Sequence, residues 1–478
     1  MSRKIKDFLP LLLFIIFTYG LHSEIKLSSL FSDNMVIQQN SKVAIWGWAN
    51  PKSVISITPS WDNQVIKSKC NSSGDWKIYL NTPSAGGPYS ITIDGDNKLE
   101  LKNVMVGDVW ICAGQSNMEM PMKGFKGQGV CGSNMDILKS KNKNIRVITV
   151  PRNSKTEPQS NFKGEWQEAT PKSIADFSAT GYYFGQLVNE ITDIPIGLIC
   201  VSYGGSCIEA WMNKETSQQF EDMPVPEKGD TIKSQNRTPT VLYNGMLHPV
   251  IGYGIKGAIW YQGETNYRNS QDYTRLFTTM VKEWRTQWDQ GDFPFYYTQI
   301  APFDYDILTP NEKSEQNNSA YLRDAQRLAM DEITNCGMVV LLDQGEEKNI
   351  HPSNKQVVGE RLALWALGKT YGIEGFAYAS PTYDQINITD STVTVTFKNI
   401  PNGITSYDQE VTLFELAGED HNFYPAKCIV RRKSVVLNSS EVKKPVAVRY
   451  AFKNFVKGQI FNTEGLPLTS FRTDNWEY

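Results

Sequence analysis

The sequence predicts a mixed α/β protein, an open α/β sheet flanked by two smaller β-rich regions. Three observations carry this. Residues 24–104 read as short strands broken by Asn, Pro, Gly and Asp turns, whereas 105–375 alternate continuous apolar runs with helical patterns. Beyond about residue 375 the period-two alternation of strands returns, as in Val393, Val395 and Phe397 and again in Val446, Val448 and Tyr450. A chain of 478 residues is long enough to bury two or three cores.

Taken in order, the chain begins with Arg3, Lys4 and Lys6 before an apolar run over 8–19, then Gly20, His22 and Ser23. That is the plan of a signal peptide over 1–23, and the run is too short to span a bilayer comfortably. The expectation is a secreted or periplasmic protein with no membrane span once the leader is removed. The first β region, 24–104, carries strands at 42–48, 54–57 and 89–93. In the central region, 105–375, the runs 109–113, 196–202, 258–262 and 339–343 suit buried parallel strands. Between them the clearest helix covers 273–288, where Leu276, Phe277, Met280, Val281, Trp284 and Trp288 recur every three or four residues. The third region, 376–478, is β-rich.

A formal net charge of −3 with both signs mixed offers no field for nucleic acid, so the partner expected is small or neutral. Seven cysteines (Cys70, Cys112, Cys131, Cys200, Cys207, Cys336 and Cys428) lack C-x-x-C spacing or clustered histidines, which argues against a zinc site. They are expected to be buried small hydrophobes or members of one or two disulfides, with at least one unpaired. No metal or organic cofactor is implied.

In an open α/β sheet, ligands bind beyond the carboxyl ends of the strands. Four such ends are informative. Gly114-Gln115-Ser116-Asn117-Met118 places a serine at a strand-to-helix turn, where its amide can stabilise an oxyanion; a capping box of Ser116 with Glu119 explains the same residues structurally. Ser202-Tyr203-Gly204-Gly205-Ser206 offers a glycine pair whose amides can approach a substrate closely. Trp260-Tyr261-Gln262-Gly263-Glu264-Thr265-Asn266 offers two side-chain amides and a carboxylate. Asn349-Ile350-His351-Pro352 lies between a strand and a helix.

An activated serine needs a base, and the chain has only His22, His248, His351 and His421. His22 falls in the leader, His421 in the last β region, and His248 precedes a strand, so His351 is the candidate base for Ser116. His248 is expected to be structural.

These four blocks, with Glu209-Ala210-Trp211 after the glycine pair and His351-Pro352-Ser353-Asn354-Lys355 at the last, occur in the order found in sialate O-acetylesterases, a branch of the SGNH hydrolases, which the chain therefore resembles. Leu30-Phe31-Ser32-Asp33-Asn34-Met35-Val36 and Asn244-Gly245-Met246 extend the likeness over most of the chain. The resemblance implies a three-layer α/β/α core and a serine esterase that removes acetyl groups from a sugar or glycan. It implies Ser116 as nucleophile and His351 as base, with an oxyanion hole built from the Ser116 amide, a Gly204 or Gly205 amide and a third-block side chain. Gln262 and Asn266 are the candidate donors, because a carboxylate would repel the oxyanion; Glu264 then orients a donor.

One position departs from the family. An Asp commonly stands two residues before the histidine, and this chain has Asn349. Either Asp343, Glu346 or Glu347 partners the imidazole, or a neutral acceptor such as a carbonyl does. That substitution also keeps open a sugar-binding protein without catalysis. Sialic acid is the first substrate expected and acetylated plant polysaccharides such as xylan the second, with Trp211, Trp260, Tyr261 and Tyr267 either stacking on sugars or filling the core. A glycosidase built on Glu264 lacks a second carboxylate motif.

Overall fold

The computed structural model describes residues 24–308, 310 and 318–476; the expected signal peptide, 1–23, lies outside them. The core strands are β1 (Lys98–Gly114), β2 (Asn142–Thr149), β3 (Ile196–Ser202), β4 (Gly257–Tyr261), β5 (Phe295–Thr298) and β6 (Cys336–Val339). They lie in the order β2-β3-β1-β4-β5-β6, all parallel, with the short strand Gln167–Ala169 antiparallel at the β2 edge. After β1 the chain builds one side of the sheet and then crosses to the other. The direction reverses at β1, so a crevice opens beyond the carboxyl ends of β3, β1 and β4.

Five helices matter for the site: α1 (Ser116–Glu119), α2 (Ala179–Thr192), α3 (Ser270–Trp288), α4 (Ala320–Glu332) and α5 (Lys355–Trp365). Alternate residues of a strand face opposite sides. Trp110 and Cys112 of β1 therefore pack with Tyr182 and Val188 of α2 and Val358 and Leu362 of α5. Val109, Ile111 and Ala113 pack instead with Leu276, Phe277 and Trp284 of α3. Both faces of β1 are covered over 109–113, which is why that stretch is continuously apolar.

The sequence boundary at 104/105 falls inside β1. The first part of this 17-residue strand pairs with Gly86–Asp94 and Val36–Gln38, and its second part with β3 and β4. A single strand thus ties the first β region to the core. At the other end, antiparallel sheets formed by residues 382–472 pack on α4 through Arg323. Its buried guanidinium donates to the carbonyls of Lys453 and Ala451 and to Ser470 Oγ, 3.2 Å away.

Two expectations need correction. The strand expected at 339–343 is Cys336–Val339: its ladder with β5 ends at Val339, while Val340, Leu341 and Leu342 stay buried beyond it. Burial outlasts the ladder, so the apolar run overshoots the strand. No disulfide forms among the cysteines; all seven are free. The one pair in strand register, Cys112 and Cys200, has the Cys200 thiol turned along its own strand to Ser202 Oγ at 3.1 Å. No helix among the described residues is long and apolar enough to cross a membrane.

Candidate active site

The site begins with two strand ends laced together. Gly114 has φ +139°, and a Cβ there would lie 2.1 Å from the Tyr261 carbonyl oxygen, so only glycine lets β1 end against β4. The Gln115 amide donates to that carbonyl at 2.9 Å, and Gln115 Oε1 accepts from the amides of Gly263 (3.2 Å) and Thr265 (3.4 Å). The Tyr203 amide donates to the Gly114 carbonyl at 3.1 Å and brings in the end of β3. Ser116 is the first residue of α1, a position whose N–H no intrahelical carbonyl can reach. The capping-box explanation of Ser116 and Glu119 does not apply, because Gln115 occupies the cap and Glu119 points elsewhere.

The loop before α5 delivers His351 to this point. His351 Nε2 lies 2.8 Å from Ser116 Oγ, and Nδ1 lies 2.6 Å from Gln128 Oε1. An amide oxygen only accepts, so Nδ1 carries the proton and Nε2 is left to accept from serine. Burial, aided by the nearby Lys355 ammonium, pulls the imidazole from 6.5 down to about 4. The ring edge packs on Phe125, 5.4 Å between centroids.

Gln128 is not legible in the sequence. The only trace is the run of glycines around it, Gly124, Gly127 and Gly129, which forms a tight loop in which the Gln128 amide donates to the Phe125 carbonyl at 3.0 Å. None of the three carboxylates expected as partners touches the imidazole. Asp343 is held by Arg361 with both oxygens at 2.7 Å. Glu346 accepts from Asn349 Nδ2 (3.0 Å) and from the amide and hydroxyl of Ser353 (2.7 and 2.6 Å). Glu347 accepts through its backbone carbonyl from the Asp304 amide. Asn349 shapes the loop, its Oδ1 accepting from the His351 amide at 3.1 Å, and does not reach the ring.

The third block is bound differently from the sequence expectation. Gln262 Nε2 donates to the Ser206 carbonyl (3.0 Å) and to Asn266 Oδ1 (2.7 Å). Asn266 Nδ2 donates to the Glu209 carboxylate at 3.0 and 3.2 Å. Both amides are buried and committed to joining the second and third blocks, so neither is a free donor beside Ser116. Glu264 does orient an amide, but that of Asn117, which accepts in turn from the buried Lys355 ammonium. Asn117 Nδ2 also donates to the Ile350 carbonyl at 3.1 Å, tying the first block to the histidine loop. Burial raises the Glu264 carboxyl and lowers the Lys355 ammonium.

Gly204 lies against the serine, since a Cβ on it would be 3.4 Å from Ser116 Cβ. Its amide donates to Glu119 Oε2 at 2.8 Å, and Arg152 clamps that carboxylate with two bonds of 2.6 Å. Gly205 takes the left-handed conformation with φ +68°. Trp211, Trp260, Tyr261 and Tyr267 are all buried and belong to the core, so none is a sugar platform. His248 Nδ1 is bound to the Gln159 carbonyl at 2.7 Å, and His421 stacks on Trp476 at 3.8 Å. Among the described residues no cluster of three or more metal-ligating side chains occurs.

A serine and a histidine in contact at strand ends occur in several hydrolase families, and comparison with known proteins separates them. The model of the carbohydrate esterase, sialic acid-specific acetylesterase family matches residues 106–367, which include every residue of the site. The chain belongs to this family. The human sialate O-acetylesterase is 27% identical over 397 residues, covering 76% of this chain and 74% of the relative. The mouse sialate O-acetylesterase is 25% identical over 465 residues, covering 84% and 82%. Among solved structures, a carbohydrate acetylesterase from Xanthomonas citri superposes with a TM-score of 0.86 at 32% identity, over 95% of this chain and 100% of that one. As a family member the chain is a carboxylic ester hydrolase of the carbohydrate O-acetylesterase type.

Proposed function

We propose that this carbohydrate esterase works by a serine acyl-enzyme mechanism in which Ser116 is the nucleophile, His351 the base and Gln128 the group that orients the base. The observation that carries the reading is the chain of contacts Ser116 Oγ, His351 Nε2, His351 Nδ1 and Gln128 Oε1, at 2.8 and 2.6 Å. Ser116 Oγ attacks the acetyl carbonyl as its proton passes to Nε2. The tetrahedral intermediate collapses with loss of the sugar oxygen, which takes that proton, and water then releases acetate from the acyl-serine by the same steps. The negative oxygen is met by the Ser116 amide and, because the Gly204 amide is held by Glu119, by the amide of Gly205, each such donor contributing about 3 kcal/mol in comparable enzymes.

A neutral amide in place of the usual carboxylate selects the tautomer without stabilising the imidazolium by charge. With no carboxylate to offset burial, His351 is weakly basic, and it stays neutral and competent in acid. The substrate is an O-acetylated sugar, with sialic acid first and plant polysaccharides second, met outside the cell after the leader of 1–23 is removed. The core is a three-layer SGNH-type domain over 105–375 between β-rich regions at 24–104 and 376–478. The test is release of acetate from O-acetylated sialic acid and from acetylated xylan fragments by wild type, Ser116→Ala and His351→Ala. Loss of activity in both variants supports the reading; retention in Ser116→Ala ends it.

A further inference from the structure

One cavity shares part of its wall with the site. It holds about 770 Å³ and is floored by Glu209, Thr265 and Asn266 from the second and third blocks. Thr265 is the residue whose amide bonds Gln115, next to the nucleophile, and Arg237 on the wall bonds the Gly205 carbonyl at 3.3 Å. Ser116 and His351 do not line the cavity; Thr265 and Arg237 connect its wall to the strand ends that carry them. We infer that it is a subsite for neutral sugar units flanking the acetylated residue, so that the protein selects oligosaccharides over acetylated monosaccharides; this rests on the esterase reading above.

Size is the first argument. Even at water's share of ~30 Å³ per heavy atom, the about twelve heavy atoms of a hexose occupy roughly half of this space. The cavity thus has room for about two sugar units beside the acetylated one held at Ser116. Chemistry is the second. Phe220 lines the wall with its ring capped by the Arg275 guanidinium at 4.4 Å, which gives the cavity a fixed flat apolar element among polar ones, the mixture that binding sites for small molecules use. Charge is the third. Arg237, Arg268 and Arg275 are opposed on the same walls by Glu221, Asp222 and Asp272. A polyanionic chain would meet those carboxylates, whereas hydroxyl groups can donate to them and accept from the arginines. Three other cavities share no residue with the four blocks.

The experiment has two readouts. In the first, kcat/KM is compared for a mono-O-acetylated methyl hexoside, a neutral trisaccharide carrying the same acetylated residue, and a trisaccharide whose flanking units bear carboxylates. The neutral trisaccharide is expected to be favoured about tenfold over the hexoside, and the acidic one to lose that advantage. Phe220→Ala and the surface change Asp272→Ala should each reduce the advantage severalfold while leaving hydrolysis of a small activated acetyl ester unchanged. In the second, calorimetry measures binding of the deacetylated neutral trisaccharide to wild type, Phe220→Ala and Asp272→Ala, which needs no chemistry. Equal kcat/KM for hexoside and trisaccharide, or trisaccharide binding unaffected by both substitutions, overturns the subsite. Small-ester activity that is lost in Ser116→Ala but kept in Phe220→Ala makes failure of the subsite distinguishable from failure of the esterase reading.

Discussion

Replacing Gln128 by alanine removes the acceptor 2.6 Å from His351 Nδ1 and leaves the imidazole free to rotate or change tautomer. When Nε2 takes the serine proton the ring becomes cationic, so the lost bond is one to a charged group in the transition state. Bonds of that class contribute about 1.5–3 kcal/mol, which corresponds to roughly a 10- to 150-fold fall in kcat/KM. Gln128→Glu acts in the opposite sense, placing a negative charge at the same atom. A neighbouring opposite charge raises a histidine by about 1–3 pKa units. The acid limb of kcat/KM, set in wild type by a base held down to about 4, should move to higher pH by that amount. The assay is the pH profile of kcat/KM on an activated acetyl ester for wild type, Gln128→Ala and Gln128→Glu, with melting curves to confirm folding. A Gln128→Ala variant within twofold of wild type, or a Gln128→Glu profile with an unmoved acid limb, would refute the orienting role.

Other consequences follow from the same contacts. Lys355→Met leaves Asn117 Oδ1 and the Glu264 carboxylate without their buried cation and should cost about 3 kcal/mol in urea or thermal unfolding. Gly114→Ala forces a Cβ to 2.1 Å from the Tyr261 oxygen at φ +139°, so the expected outcome is loss of soluble folded protein or a melting point lowered by many degrees. Reductant should leave the melting temperature unchanged, since all seven cysteines are free. The unfolded chain protonates His351 near 6.5 and the folded chain only near 4, so stability falls as pH drops through that window. His351→Gln should flatten that part of the stability profile, read by melting at several pH values.

The parallel core was legible because its strands are buried on both faces. The run 196–202 matches β3 residue for residue, and the period of 273–288 lies wholly within α3. The strand ends then pointed to Ser116 and His351 through placement and the scarcity of histidine. What the sequence concealed depends on contacts distant in the chain. Gln128 meets His351 from 223 residues away, in a loop with no strand end to mark it. The roles of Gln262 and Asn266 were unreadable for the same reason: whether an amide faces a ligand or a neighbouring carbonyl is decided by packing. The link at β1 between the first β region and the core was hidden because the strand changes from polar alternation over 98–103 to a buried apolar run, which reads as a boundary, while its backbone continues through.

The central claim is that Ser116 carries the acetyl group during turnover. The direct measurement is acid quenching of wild type during steady-state hydrolysis of an activated acetyl ester, followed by mass spectrometry of the peptides. The account predicts one added acetyl group on the peptide containing Ser116 in wild type, none there in Ser116→Ala, and no turnover in that variant. Undiminished turnover by Ser116→Ala, with no acetylated peptide in either protein, would contradict it.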